Sequence, residues 1–400
     1  MTRQCPYRAI DLATPANIAD PYPAYAALRP NSPCFGYADL AQGTTPNDEN
    51  PPAAWAVLKY DDVELVARNH DAFSSTGSAP GVLLVNDDPP THTRLRKLTE
   101  AVLTTATVQH EMPAIEHIVA DSIAEIADNE IDAIASVAAP VAARVAIHFF
   151  GLDDAFLSTC RRWGTALMLS GPVSRVEQEA AFTEMVTYFS RVIATHNTVL
   201  APTREKSVID ALCTVTVDGQ RFTPDEILRF CLSHIVSGVD TVMYLLGNAL
   251  AILSVRPDLF ARLRGSPALV RPFREEVLRF CGPAQRMYRV AVQDVQVSGQ
   301  TIRTGDRVAL FFGAAYRDPA IFSAPDDIRL DRPNSDAHLS FGAGIHRCPG
   351  QDLVNLEFDC LVKAVLSRFT QLRPGAAAGV RQTTTLLQNG YVSLPLIFDR

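Results

Sequence analysis

Four hundred residues, 47% of them apolar and 20% charged, make a chain with enough apolar surface for a large core, which excludes a disordered or fibrous polymer. Against 36 basic residues stand 44 acidic ones, a net charge of −8, which argues against a nucleic-acid binder. The eight cysteines form no CxxC pair and several sit in apolar runs, so neither a disulfide framework nor an ordinary zinc site is expected.

The opening "MTRQCPYRAI" lacks an apolar signal-peptide core, and a cytoplasmic protein without a membrane anchor is expected. "WAVLKY" marks a first strand. Helical spacing then recurs in "DVELVARNHDAF", in "PPTHTRLRKLTEAVL" with its basic face, and in "IEHIVADSIAEIADN". "IDAIASVAAPVAARVAIHFFGL" follows, and Pro140 should kink or split it. "CLSHIVSGVDTVMYLLGNALAILSV" is long and apolar enough to suggest a membrane span. Asp240 near its centre would cost about 2.5–3.5 kcal/mol there, so a buried helix of a soluble protein is expected.

"ALVRPFREEVLRF" and "GQDLVNLEFDCLVKAVLSRF" are helical, the second with Leu353, Leu356, Cys360, Leu361, Ala364 and Val365 on one face. Between them "VAVQDVQVSGQTIRTGDRVALFF" reads as three strands with two turns, and "YVSLPLIF" as a closing strand. The expected fold is mainly α with small β-sheets, one domain over residues 1–400. Its helix-rich core spans about 60–290 and 350–370, and its sheet region about 52–60, 289–312 and 391–398.

"FGAGIHRCPG", Phe341 to Gly350, concentrates a thiol, glycines and two basic side chains. Pro349 suits the first turn of the following helix, which puts Cys348 at a helix N-terminus where the dipole and free N–H groups favour a thiolate. Gly342 and Gly344 permit φ > 0 and close backbone approach. A structural turn around a buried Cys is the plain alternative.

The loop resembles the haem-thiolate pattern FGxGxHxCxG of the cytochrome P-450 superfamily. The resemblance implies that Cys348 is the axial ligand of the iron of haem b (iron protoporphyrin IX), with Phe341 and Gly342 beside the sulfur and His346 beside a propionate. "EVLR" matches the family's ExxR element and implies a buried structural network of Glu276, Arg279 and Arg332. "SGVDT" resembles the family's oxygen-activating segment. There Gly238 leaves room for dioxygen, while Asp240 and Thr241 relay protons to it. Ser237 replaces the usual Ala, and Tyr316 stands where Asn is usual. "DDPPTHTRLRKL" and "RMYRVAVQD" resemble propionate-binding segments, which assigns His92, Arg96 and Arg289 to that task. The matches run in family order from about residue 20 to 396.

The resemblance implies a triangular, prism-like fold and monooxygenation by O2, with electrons from a separate ferredoxin and ferredoxin reductase. Arg94, Lys97 and Arg347 are candidates for the basic patch that receives the donor. Family position puts the substrate wall at Gly81 to Val85 (Leu84 and Val85 among them), Ser233, Val236, Ser237, Gln285 to Met287, and Leu386 to Gln388, Leu387 included. This mix suits a small or medium hydrophobic molecule with a polar handle, such as an aromatic acid, phenol, terpenoid or steroid. Three alternatives stand beside it: a haem-thiolate protein driven by peroxide or catalysing oxidative coupling, a non-catalytic haem-binding sensor, and a helical scaffold without cofactor.

Overall fold

The computed structural model describes residues 10, 12–37, 54–76, 83–152, 154–167, 173–196 and 207–400. The long apolar segment forms two helices, Pro224–Gly238 and Asp240–Val255, which meet at Val239 (φ −90°, ψ −62°). A capping box starts the first: Glu226 N–H donates to Thr223 Oγ1 at 3.2 Å and Thr223 N–H donates to Glu226 Oε2 at 2.8 Å. The second is apolar all round because protein surrounds it. Leu245, Leu246, Ala249 and Leu250 pack with Val141, Phe273, Val277, Phe358 and Leu361 of three neighbouring helices. Each such side chain contributes about 1.5–3 kcal/mol on full burial.

Those neighbours are Ala139–Phe150, Val270–Cys281 and Gln351–Arg368. Pro140 splits its segment as expected. A π-helical stretch, Ile134–Ala138, precedes it, and Pro140 lies in the first turn of the α-helix, where its missing N–H costs nothing. The helix expected through Phe73 is shorter, Tyr60–Arg68. Asn69 ends it, and Phe73–Ser74 pairs as a strand with Met287–Ala291.

The largest sheet orders its strands Cys34–Tyr37, Ala54–Val57, Arg307–Leu310, Met287–Ala291 and Phe73–Ser74. Where three strands were expected over 290–312, four form, because the first breaks at 292–294 into Met287–Ala291 and Val295–Val297. One of the two expected turns, at Ser298 and Gly299 (φ 43° and 77°), joins Val295–Val297 to Gln300–Ile302 as a hairpin. A three-stranded sheet sets Pro395–Asp399 between Glu130–Asp132 and Gln371–Pro374. The Asp132 carboxylate fastens this corner, accepting from Ser393 Oγ at 2.6 Å, Ile134 N–H at 2.9 Å and Leu394 N–H at 3.0 Å. Between the apolar helix pair, the helix Thr91–Val102, the strand Met287–Ala291 and the loop 341–350 lies a cavity of about 290 Å³.

Candidate functional site

The Cys348 loop is a tight turn with its sulfur on the cavity wall. Gly342 (φ +73°) and Gly344 (φ +68°) take left-handed conformations that a side chain would strain. Gly344 also admits its neighbour: a Cβ there would lie 2.9 Å from Arg68 Cα. Cys348 N–H donates to Phe341 O at 2.7 Å, and Gly342 N–H to Leu339 O at 2.9 Å.

The helix begins at Gln351 with Gly350 as its cap, so Pro349 precedes the first turn rather than opening it. Gly350 N–H instead turns back to the sulfur. Burial pushes the Cys348 thiol up, against the Gly350 N–H and the charges of Arg96 and Arg347. This corrects the expectation that the helix end alone favours a thiolate: desolvation wins.

Arg96, Arg289 and His346 line the same cavity, with His92 next to His346. Arg289 is buried, and its Nη1 donates to Tyr288 O at 2.7 Å. Among the described residues no carboxylate pairs with it, and burial pulls its pKa to about 10. His92 is buried with Nε2 lacking any partner among the described residues. Its ring lies 4.6 Å from that of His346, centroid to centroid. Ser75 Oγ is 2.9 Å from His346 Nε2, and burial, with Arg289 and His92 nearby, drives the His346 pKa to about 3. Arg96 lines the cavity and donates to the Arg347 carbonyl and, at 2.7 Å, to Glu100. A buried cation that forms no ion pair among the described residues and is eased only by the charge of Asp88, with an orphaned imidazole nitrogen nearby, calls for an anion. The two carboxylates of a haem would meet that need, with Cys348 Sγ available as a metal ligand, so these residues fit the group.

Opposite, the helix junction supplies the second half of the site. Thr241 Oγ1 donates to the Ser237 carbonyl, and Ser237 Oγ to the Ser233 carbonyl at 2.6 Å. Gly238 lines the cavity, and a Cβ on it would meet nothing within 4 Å. Asp240 is buried on the other side, where a Cβ on Gly164 would lie 3.0 Å from its Oδ1. Thr241 therefore faces the cavity and Asp240 faces away from it.

Behind the Cys loop, Glu276 Oε1 accepts from Arg279 Nε at 2.7 Å and from Arg332 Nε at 2.8 Å, while its Oε2 accepts from Arg329 N–H at 2.7 Å. Both guanidiniums also donate to carbonyls of the irregular stretch: Arg279 to Pro325 O (2.7 Å) and Asp327 O (2.8 Å), Arg332 to Ser323 O (2.6 Å). Tyr316 packs beside them. Its hydroxyl donates to Ala284 O at 2.5 Å, which braces the chain just before the strand that carries Arg289.

Of the expected substrate wall, Leu84, Val85, Ser233, Ser237 and Met287 line the cavity. Leu84 does so at φ +64°, its N–H donating to Asp87 Oδ2 at 2.8 Å. Gly81 and Val82 lie outside the described residues. Val236, Gln285, Leu387 and Gln388 are not on the wall. Val236 points into the apolar cluster around Phe189, and Leu387 into that around Tyr25. Gln285 folds back to donate to Gly282 O at 2.9 Å, and Gln388 is buried behind the wall.

Two wall residues carry no motif. Glu357 is buried on the helix Gln351–Arg368, and burial raises its carboxyl well above the usual range. His234 sits one turn before Gly238. Outside the cavity, Arg94 pairs with Glu226, and Lys97 with Asp218 at 2.9 Å. The expected basic patch is therefore largely neutralised, leaving Arg347 exposed.

The model of the Cytochrome P450 family matches residues 269–387. Cytochrome P450 107B1 of Saccharopolyspora erythraea is 31% identical over 366 residues, covering 86% of this chain and 89% of that protein. Cytochrome P450 monooxygenase PikC of Streptomyces venezuelae is 31% identical over 376 residues, covering 90% of this chain and 86% of that protein. The solved structure of cytochrome P450 CYP109Q5 from Chondromyces apiculatus superposes with a TM-score of 0.85 at 27% identity, covering 98% of each chain.

Proposed function

This chain belongs to the cytochrome P450 family, and on that premise we propose that it hydroxylates a small or medium hydrophobic molecule with electrons from a ferredoxin and its reductase, in the cytoplasm, through one domain spanning residues 1–400. The observation that carries the reading is Cys348 Sγ and the buried cation Arg289, in no ion pair among the described residues, on one apolar cavity, with the orphaned His92 Nε2 beside the lining residue His346. Cys348 would hold haem b, with His92, Arg96, Arg289 and His346 available to its propionates, and the haem would supply the dioxygen chemistry, for which a thiolate ligand favours O–O cleavage.

The chain's own side chains do the rest. Gly342 and Gly344 let the loop close tightly around the sulfur. Phe341, on the cavity wall, keeps water from it. Gly238 leaves room opposite. Thr241 holds its proton on the Ser237 carbonyl and, facing the cavity, can pass it inward, while Asp240 supplies the acid behind it. The Glu276–Arg279–Arg332 network keeps the Cys loop's support rigid. The apolar wall from Leu84, Val85 and Met287 receives the substrate.

The deciding experiment is the absorption spectrum of the reduced protein under carbon monoxide. A strongly red-shifted Soret band is expected. A band typical of imidazole ligation refutes the assignment of Cys348.

A further inference from the structure

His234 projects from the helix Pro224–Gly238 onto the cavity wall. Its ring is clamped: it stacks on Phe230 with centroids 3.8 Å apart and planes 16° from parallel, and meets Phe150 edge-on at 6.4 Å. Nδ1 lies 2.9 Å from the Phe230 carbonyl oxygen. A carbonyl only accepts, so that bond assigns the proton to Nδ1 and leaves Nε2 with a bare lone pair. No described residue donates to Nε2. Burial holds the ring neutral, with its pKa down at about 4.

At rest the hydroxyls beside it direct their protons to backbone carbonyls. Ser233 Oγ donates to Arg229 O at 2.7 Å and already accepts from Leu83 N–H at 2.6 Å. Ser237 and Thr241 spend theirs on the carbonyls four residues earlier. This stretch of wall is therefore an acceptor surface set among Leu84, Val85, Phe149 and Phe150.

We propose that His234 Nε2 is the substrate anchor, accepting a hydrogen bond from the hydroxyl of an otherwise apolar, uncharged alcohol or phenol. The proposal rests on the monooxygenase reading above and narrows it. A carboxylate would set its lone pairs against that of Nε2, so acids are rejected; a ketone has no proton to give. His234 and Thr241 lie seven residues apart on the two helices that meet at Val239, about 10 Å at a rise of 1.5 Å per residue. Oxidation therefore falls on a carbon remote from the anchored hydroxyl, and the product carries two separated oxygens.

The test is equilibrium binding to the haem-loaded protein, followed by the substrate-induced change in the Soret band and by calorimetry. Cyclododecanol, cyclododecanone, cyclododecane and cyclododecanecarboxylic acid share one skeleton; 4-cyclohexylphenol and 4-cyclohexylanisole share another. On at least one skeleton the hydroxyl compound should bind about tenfold more tightly than its ether, ketone, hydrocarbon or acid counterpart. His234→Phe should erase that preference. His234→Gln, whose amide both donates and accepts, should bind ketone and alcohol alike. The same preference in the parent and His234→Phe overturns the proposal, as does a parent that shows no preference or binds no member of the panel. The carbon monoxide spectrum separates this from failure of the broader reading: a parent with the thiolate band but no hydroxyl preference refutes the anchor alone, and a parent without that band refutes the haem-thiolate assignment.

Discussion

Replacing Glu276 by Ala would strand two guanidiniums in the interior. Glu276 and Arg279 are fully buried and Arg332 is 5% exposed, so water cannot take the place of the lost carboxylate. Removing one partner of a buried ion pair typically costs about 3–5 kcal/mol. Glu276 serves Arg279, Arg332 and the Arg329 N–H together, so the loss belongs at or above the top of that range. Folded proteins hold about 5–15 kcal/mol in all. Glu276→Ala should therefore yield little folded holoprotein, and what survives should unfold at a much lower urea concentration. Arg332→Lys keeps the charge but loses the planar set of donors to Glu276, Ser323, Ala324 and Asp327, and should cost an intermediate amount, about 1–3 kcal/mol. Urea denaturation with haem content per chain is the assay. A Glu276→Ala protein within about 1 kcal/mol of the parent, with normal haem content, would refute the reasoning, because a buried charge left alone cannot be that cheap.

Cys348→Ala should abolish the red-shifted carbon monoxide band, and an unchanged spectrum would remove the central assignment. Thr241→Ala should keep haem but lower product formed per reductant consumed several-fold, with peroxide rising in step; equal coupling in mutant and parent would take Thr241 out of the proton route. Glu357 should make stability depend on pH. Its folded pKa is raised, so the unfolded chain releases the proton first, near the ordinary Glu value of about 4.3. Its contribution is whole below that value and is lost as pH rises toward the raised folded pKa. Glu357→Gln should accordingly stabilise the holoprotein more at pH 8 than at pH 5, by melting temperature; a difference that does not grow with pH would show that Glu357 is ionised in place.

The parts of the site that sit in short contiguous motifs were legible in the sequence. Cys348 with its glycines, and Glu276 with Arg279 one turn away, were legible through their resemblance to family motifs; a Glu and an Arg three apart would by themselves suggest only a surface ion pair. Arg332 was found through its place before the loop, and the structure brings it to Glu276 across 56 positions. What depends on side-chain direction in irregular chain was not legible. Gln285 and Gln388 occupy the expected stretch of chain yet turn from the cavity, because carbonyls and packing behind the wall claim that space. Glu357 escaped because helical periodicity was traced on apolar positions, and a protonated carboxyl behaves as one of them. His234 carries no motif; only the Phe230 carbonyl and the stacked ring reveal which nitrogen is bare. The hairpin at Ser298–Gly299 follows from its turn residues. The pairing of Glu130–Asp132 with the last strand, by contrast, has no local signal at all.

That pairing has a consequence for biosynthesis. Glu130 faces Ile397, and Asp132 faces Pro395, across more than 260 positions of chain. At about 5–20 residues per second, the earlier strand leaves the ribosome tens of seconds before its partner exists. During that interval its edge is open, and the Asp132 carboxylate lacks the Ser393 and Leu394 donors it holds in the finished protein. Until then the corner lacks its partner strand. Chaperone demand should fall steeply once residues 393–397 emerge.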